Sequence, residues 1–600
     1  MAQAASSDPH FSHMQGARFE GLPLQNTTRF LCAAAYLDQS FCRKVVREFV
    51  EEDHRGVVPS FGFDVAPVIV HSLQARRMRL IRDGIITLVL LLALLVHAAA
   101  VLTVVIALAP IAAVPFIPWS RLGPLGSVAL GTVLAVPPAV VIIGLDPVSV
   151  LNALDPGDQR YLFVYREGGA GSGDGTGFAF WLAATLVVAA AVLVPLGYRF
   201  VVYRMLRGLG PGARMTMPRP VRRRVRQTLD RVTAAQRGNV ILYSGENPFL
   251  GSGDVTAPWS RAWSITLELD RVAGATGSAL RRGPVPKNVD PVGLHQYVHE
   301  RIVAMRDEIP PHERVSGLLV DWHVVAQGEC AQAGRPVDTS GADPYFHGHP
   351  LIDKERSVPY SWADGDTISA IIQHPQANVR CYQRVTVGAQ GQAVRDRMGR
   401  PIAPAEDQDI LLSAFLHFAV EGRMLHVQFV VNALPPIRRE FRIVDHLPAF
   451  TTGMTALLTL REGGTRALGD GLVSPFRLVR AARRIVRERF RSAGMAPGAF
   501  LTYDYGARIS VREEAAEPGF RTFMQKLDAD KCTSLIERRV NEAVLEYLQQ
   551  CEVDDTAYRE QASVVLNSPF IVSGGAASGG RIAVGGAEAH IARWRTRPSA

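Results

Sequence analysis

Apolar residues gather between about residues 85 and 203 of this 600-residue chain, and arginines crowd both ends of that stretch. A helix needs ~20 mostly apolar residues to cross a ~30 Å hydrocarbon core. From Ile85 to Trp119 the only ionisable side chain is His97. A second run, Leu122 to Leu145, is interrupted by Pro137 and Pro138, and a third extends from Phe178 to Tyr203. Read as a hairpin, Ile85–Trp119 divides near Ala98–Ala100, and the expected count is about four spans. Prolines within such runs are tolerated where neighbouring helices resatisfy the freed backbone groups.

Orientation follows the bias of positive charge toward the cytoplasm. Arg76, Arg77, Arg79 and Arg82 precede the first run, and Arg199, Arg204, Arg207, Arg222, Arg223, Arg224 and Arg226 lie at or beyond the last. Both flanks are therefore expected in the cytoplasm of a cell whose plasma membrane holds the protein, with the 146–177 loop outside. A re-entrant run in place of one hairpin keeps the same orientation. Residues 1–30 are polar and lack the apolar core of a cleavable signal, so the first span itself directs insertion. His97 alone is ionisable within the runs, which points to an anchor rather than a transport path.

The rest divides by pattern. Residues 1–83 read as an N-terminal cytosolic helical segment and 84–203 as the transmembrane bundle. Residues 204–237 read as an Arg-rich juxtamembrane linker. Its Arg204, Arg207, Arg222, Arg223, Arg224 and Arg226 are expected at the membrane surface, where anionic lipid attracts each cation by ~1 kcal/mol. The same charges would suit phosphates of a nucleic acid, but no aromatic side chain that could stack on a base occurs between Gly208 and Val240. No nucleic acid is expected.

Residues 238–460 read as an α+β domain with an antiparallel sheet. Trp263, Ile265 and Leu267 alternate with Ser264, Thr266 and Glu268, and Leu318, Val320, Trp322 and Val324 alternate likewise. Leu411–Val420 and Met424–Val431, joined through Glu421-Gly422-Arg423, form a hairpin pattern. Between them Leu294, Val298, Ile302 and Met305 share a helical face that ends at Pro310-Pro311. Residues 461–600 read as helical with a Gly-rich tail. One helix is placed from Ser474-Pro475 with an Arg-covered outer side, and another from a capping box at Ser534–Glu537.

Signs of chemistry are few. No G-x-x-x-x-G-K-[ST] loop is present. Six cysteines show no C-x-x-C pairing, so free thiols are expected. His295 and His299 stand four apart on the helix described above, read as facing away from its apolar stripe. That spacing can chelate a metal, with His347 or His349 as third ligand. A zincin would carry Glu where Gln296 stands. The Gly-rich Tyr243–Asp254 segment could present backbone N–H groups to an anion, or be a structural turn. Asp364, Asp366, Glu406, Asp407 and Asp409 are a further acidic set, ordinary for turns before strands.

The Tyr243-Ser-Gly-Glu-Asn-Pro-Phe-Leu-Gly-Ser-Gly-Asp254 motif and the Arg29-Phe-Leu-Cys-Ala-Ala-Ala-Tyr-Leu37 stretch resemble those of uncharacterised multi-pass membrane proteins of actinobacteria. The resemblance implies the same architecture and carries no catalytic residue and no cofactor. The expected function is a non-enzymatic cytosolic interaction or sensor domain anchored at the inner leaflet. Its expected partners are the anionic bilayer and a protein partner or second copy. The alternative is a membrane-tethered metal-dependent hydrolase built on His295 and His299.

Overall fold

The computed structural model describes residues 24–113, 130–131, 134, 175–214, 223–270, 287–331, 351–492 and 502–567, with short breaks at 311–312, 316, 354–355, 357, 391–393, 397 and 404–406. Nearly all of the Leu122–Leu145 run and of the 146–177 loop, Arg222, Glu406, His347, His349 and the Gly-rich tail beyond 567 lie outside them.

The α+β domain is built on a six-stranded sheet. Its strands are β1 (Val240–Tyr243), β2 (Arg261–Glu268), β3 (Leu318–Gln327), β4 (Val379–Gln390), β5 (Asp407–Glu421) and β6 (Met424–Leu434), in the order β1-β3-β4-β5-β6-β2. The β5–β6 hairpin turns through Gly422 and Arg423, both at positive φ (55° and 64°), which is the geometry that matches the right-handed twist of the flanking strands. The sheet is mixed rather than antiparallel throughout, because β1 pairs β3 in parallel. Such a pair needs a crossover, and the chain supplies one through β2 and the helix that follows it.

Helices cover one face. Pro291–Asp307 starts at Asp290, whose side chain accepts from the N–H groups of Val292 and Gly293. Phe523–Gln550 starts eleven residues before the expected capping box, at a box formed by Thr522 and Gln525. Its Ile536, Val540, Val544 and Leu548 are buried against Leu294, Val298 and Ile302 and the sheet residues Leu416, Phe418 and Val427. The opposite face takes Phe249, which tilts onto Phe415 with ring centroids 4.4 Å apart, and Val58 from the N-terminal unit.

That unit comprises α1 (Asn26–Leu37), α2 (Gln39–Val46) and the first half of α3 (Val65–Val96). It shares a core with the end of α5 (Gly175–Leu206), with α6 (Arg223–Ala235) and with the 3-10 segment Arg439–Asp445. The stretch read as a linker is thus partly a packed helix, with Leu229 and Val232 fully buried.

The apolar region corrects the expectation of about four spans. Among the described residues one helix, Phe178–Leu209, is long and apolar enough to cross a membrane. The Ile85–Trp119 run does break at His97, but α3 draws its first half from the N-terminal unit, and only its last twelve residues, Ile85–Val96, belong to that run. The following α4 (Ala98–Ala113) is also short. At 1.5 Å per residue each arm reaches roughly 18–24 Å, less than the ~30 Å of hydrocarbon a span must cross.

A 41-residue helix, α7 (Thr452–Ser492), completes the group. It runs straight through Pro475 instead of starting there. Ser474 donates back to the Asp470 carbonyl at 2.6 Å and to Asp83 of α3 at 3.2 Å, so the residue expected to cap a helix instead staples two together. The α7 helix runs antiparallel to α5: Glu462 meets Tyr203, Gly463 meets Leu196 and Gly471 meets Ala191. Small residues at such contacts let backbones approach closely.

Candidate functional site

Where α3 and α5 leave the N-terminal unit they line, with α7 and the 3-10 segment, an open cavity of about 1070 Å³. The α3 helix contributes Arg79 and Arg82, and α5 contributes Tyr198, Arg199, Val202 and Tyr203. Arg439, Arg442 and His446 come from the 3-10 segment and its cap, and Arg461, Glu462 and Asp470 from α7. With Arg521, seven arginines face three carboxylates, the third being Glu440.

Arg79 is 7% exposed. Its Nη2 donates to the carbonyls of Ala35 and Tyr36, 2.8 Å each, at the C-terminal end of α1, where the helix dipole favours a cation. Its guanidinium also meets the Tyr198 hydroxyl, and no carboxylate pairs with it among the described residues. Arg82 pairs with its neighbour Asp83 at 2.7 Å and lies 4.8 Å from the Tyr198 ring centroid. Arg199 donates to the Glu462 carbonyl at 2.8 Å, and Glu462 accepts from the Tyr203 hydroxyl. Leu37, Val202 and Ile443 supply apolar wall between the charges. This arrangement can hold an anion whose remainder is apolar.

The residues singled out from the sequence fall in different places. Arg204, Arg207, Arg223, Arg224 and Arg226 are exposed around the same end of α5 and on α6. Arg207 donates to the Pro448 carbonyl at 3.2 Å. No carboxylate pairs with Arg204, Arg223, Arg224 or Arg226 among the described residues. The cavity arginines of α3 carried a sequence signal, as marks of orientation. Arg439, Arg442 and Arg461 carried none, because their convergence depends on α7 folding back along α5.

His295 faces the sheet instead of solvent. It is fully buried, its ring 4.6 Å from that of Phe418, and its Nε2 accepts from the Phe418 N–H at 3.4 Å. Burial pulls its pKa down to about 3, with repulsion from His417 adding to the shift. His299 is half-buried, and burial lowers its pKa too. Among the described residues no three His, Cys, Asp or Glu side chains gather in a way that would hold a metal. Asp364 caps the short Gly365–Gln373 helix by accepting from Thr367 N–H at 2.9 Å. Five thiols are free among the described residues: Cys32, Cys42, Cys381 and Cys551 are buried and Cys532 partly so.

The Tyr243–Asp254 loop does present N–H groups to an anion, and that anion belongs to the chain. Gly251 and Gly253 N–H donate to Oε1 of Glu513 at 2.7 and 2.9 Å. Both glycines sit at positive φ (98° and 117°), which Gly adopts without strain. Burial raises Glu513 to about 7, against the lowering effect of those two donors. Arg384 lies nearby, wholly buried, its guanidinium 3.8 Å from the Phe61 ring centroid; desolvation lowers it to about 9. The loop is a structural joint between sheet, N-terminal unit and the segment after 502.

No curated protein and no solved structure matches the chain. A family model does, over residues 262–582. It takes in the sheet from β2 onward and the α7 wall of the cavity, and leaves out both stretches on which the sequence resemblance rested. That match spans more than half of the chain, and the protein belongs to the family of the AbeC-like domain.

Proposed function

We propose that the chain anchors its α+β domain against the anionic face of a bilayer and works there by binding rather than by catalysis. One observation carries this reading: the arginine-lined cavity lies at the root of helices whose outward apolar faces are uncovered. On α5, Phe178 and Trp181 are each 71% exposed and Leu193 65%; on α3, Leu95 is 83% exposed. A helix of a soluble core buries most of such a surface, whereas only 28% of the apolar window of α5 is buried. Exposed apolar area on this scale marks a membrane or partner surface. The basic end favours the inner leaflet of a plasma membrane, which is the more anionic.

Alkaline carbonate extraction of membranes from cells making the full chain tests the anchoring. The protein is expected to stay in the pellet, and release into the supernatant would contradict it. Orientation is tested by an epitope tag placed after Ala600. Protection from added protease until the membrane is broken fits a domain on the inner face, and immediate cleavage contradicts it.

A further inference from the structure

The charge at the root of the apolar helices exceeds what anchoring requires. Surface arginines such as Arg223 and Arg226 would suffice to hold a basic domain near anionic lipid. The cavity instead gathers seven arginines and three carboxylates around one space. Arg79 is 7% exposed and pairs with no carboxylate among the described residues; its guanidinium meets the Ala35 and Tyr36 carbonyls and the Tyr198 hydroxyl. A buried polar group left unmatched is costly, and a buried cation more so, unless an anion completes it. Across the cavity stand Arg439 and Arg461, whose exposed side chains meet no carboxylate among the described residues. Guanidinium groups converging from separate elements match the oxygens of a phosphate, to which each can donate two hydrogen bonds. The volume, about 1070 Å³, is at the upper end of the range for small-molecule pockets and exceeds the need of a bare phosphate. Val202 and Ile443 line it beside the charges.

We propose that this cavity is a binding site for a phosphate group, held by Arg79 from one side and by Arg439 and Arg461 from the other, with room for the glycerol and first methylenes of a phospholipid. The proposal rests on the anchoring reading for its lipid source but not for its anion chemistry. A free phosphate ester would satisfy the same arginines. A lipid would in addition place its chains along the exposed apolar side of α5.

The test uses the purified full chain in a non-ionic detergent micelle, so that binding is read without need of insertion. Three probes are titrated by calorimetry: short-chain phosphatidate, inorganic phosphate and short-chain phosphatidylcholine. Phosphatidate is expected to saturate one site, and Arg439→Gln with Arg461→Gln to weaken it at least tenfold. Neither side chain makes a hydrogen bond among the described residues, so the double variant is expected to keep the wild-type melting temperature. Arg79→Gln is expected to weaken binding further, but its contacts to α1 make it the less clean variant. Phosphatidate bound at least tenfold tighter than inorganic phosphate identifies a lipid headgroup site. Equal affinities identify a free phosphate site and still support the cavity. No saturable binding of either anion, binding unchanged in the double variant, or equal binding of phosphatidylcholine overturns the proposal. Because extraction from membranes is measured separately, loss of the anchoring reading and loss of this site would be told apart.

Discussion

Arg29 and Asp445 stand 416 positions apart in sequence and 2.8 Å apart in space. Arg29, 3% exposed at its side chain, also donates to the Leu209 carbonyl at 3.0 Å and to Asn26 Oδ1 at 2.7 Å. One guanidinium thus ties α1, the end of α5 and the 3-10 segment that carries Arg439 and Arg442 into the cavity. Arg29→Ala leaves Asp445 and a buried carbonyl unmatched, and removing one partner of such a pair costs about 2–4 kcal/mol. The variant is expected to melt several degrees lower in detergent, with a larger loss than for an exposed pair such as Lys531–Asp528, where substitution costs under about 1 kcal/mol.

Glu513 makes stability depend on pH with a definite sign. Its folded pKa, about 7, lies above the ordinary 4.5, so the folded chain holds a proton that the unfolded chain has released between those values. Stability from this group is present at low pH and is lost as pH rises through about 7. Glu513→Gln keeps an acceptor for Gly251 and Gly253 but cannot ionise. The variant is expected to match the wild type at pH 5 and to exceed it by about 1–3 kcal/mol at pH 8. Thermal melts of both proteins across that range check this, and a constant difference would refute it.

His295 has the opposite dependence. Its pKa falls to about 3, below the ordinary 6.5, so its contribution is complete above 6.5 and is lost as acid drives pH toward 3. Its imidazole NMR signals are expected to stay in the neutral position from pH 8 to pH 5. His295→Ala should destabilise by about 2–4 kcal/mol through the space left beside Phe418 and Trp322, and should leave the metal content of the purified chain unchanged. Stoichiometric zinc lost in that variant would restore the hydrolase reading.

Gly471 sets how closely α7 approaches α5. A Cβ there would meet the Ala191 backbone at 2.6 Å, whereas at Gly453 of the same helix nothing lies within 4 Å. Gly471→Ala is expected to cost about 1–3 kcal/mol and to speed proteolysis within α7. Gly453→Ala should be neutral or slightly stabilising. Equal effects of the two substitutions would show that α7 does not pack where the structure places it.

Local pattern made the sheet domain legible. The period-two runs at Trp263–Leu267 and Leu318–Val324 and the Gly422 turn locate strands that do form, and Leu294–Met305 locates its helix, because each signal lies within one element. Pairing between distant strands left no such trace, and the parallel β1–β3 contact was missed for that reason. The apolar region was misread because hydropathy reports an apolar run but not where its helix begins: α3 starts at Val65, inside the N-terminal unit, so the part of it in that run is too short to span. Ser474-Pro475 misled in a similar way, since the start signal was real in type but overridden by packing on Asp83 and Ala191. The cavity was the least legible feature. Arg79 and Arg461 acquire a joint meaning only when α7 doubles back along α5, and nothing local to either residue encodes that.

Anchoring requires that the exposed apolar side of α5 contact lipid. It is tested by an environment-sensitive fluorophore at Leu193→Cys, with Cys330 and Cys532 changed to Ser, in the full chain reconstituted into liposomes. If α5 lies in lipid, the emission is blue-shifted and is quenched by spin-labelled acyl chains and not by an aqueous quencher. Emission at the wavelength found in water, quenched only from the aqueous side, would contradict it.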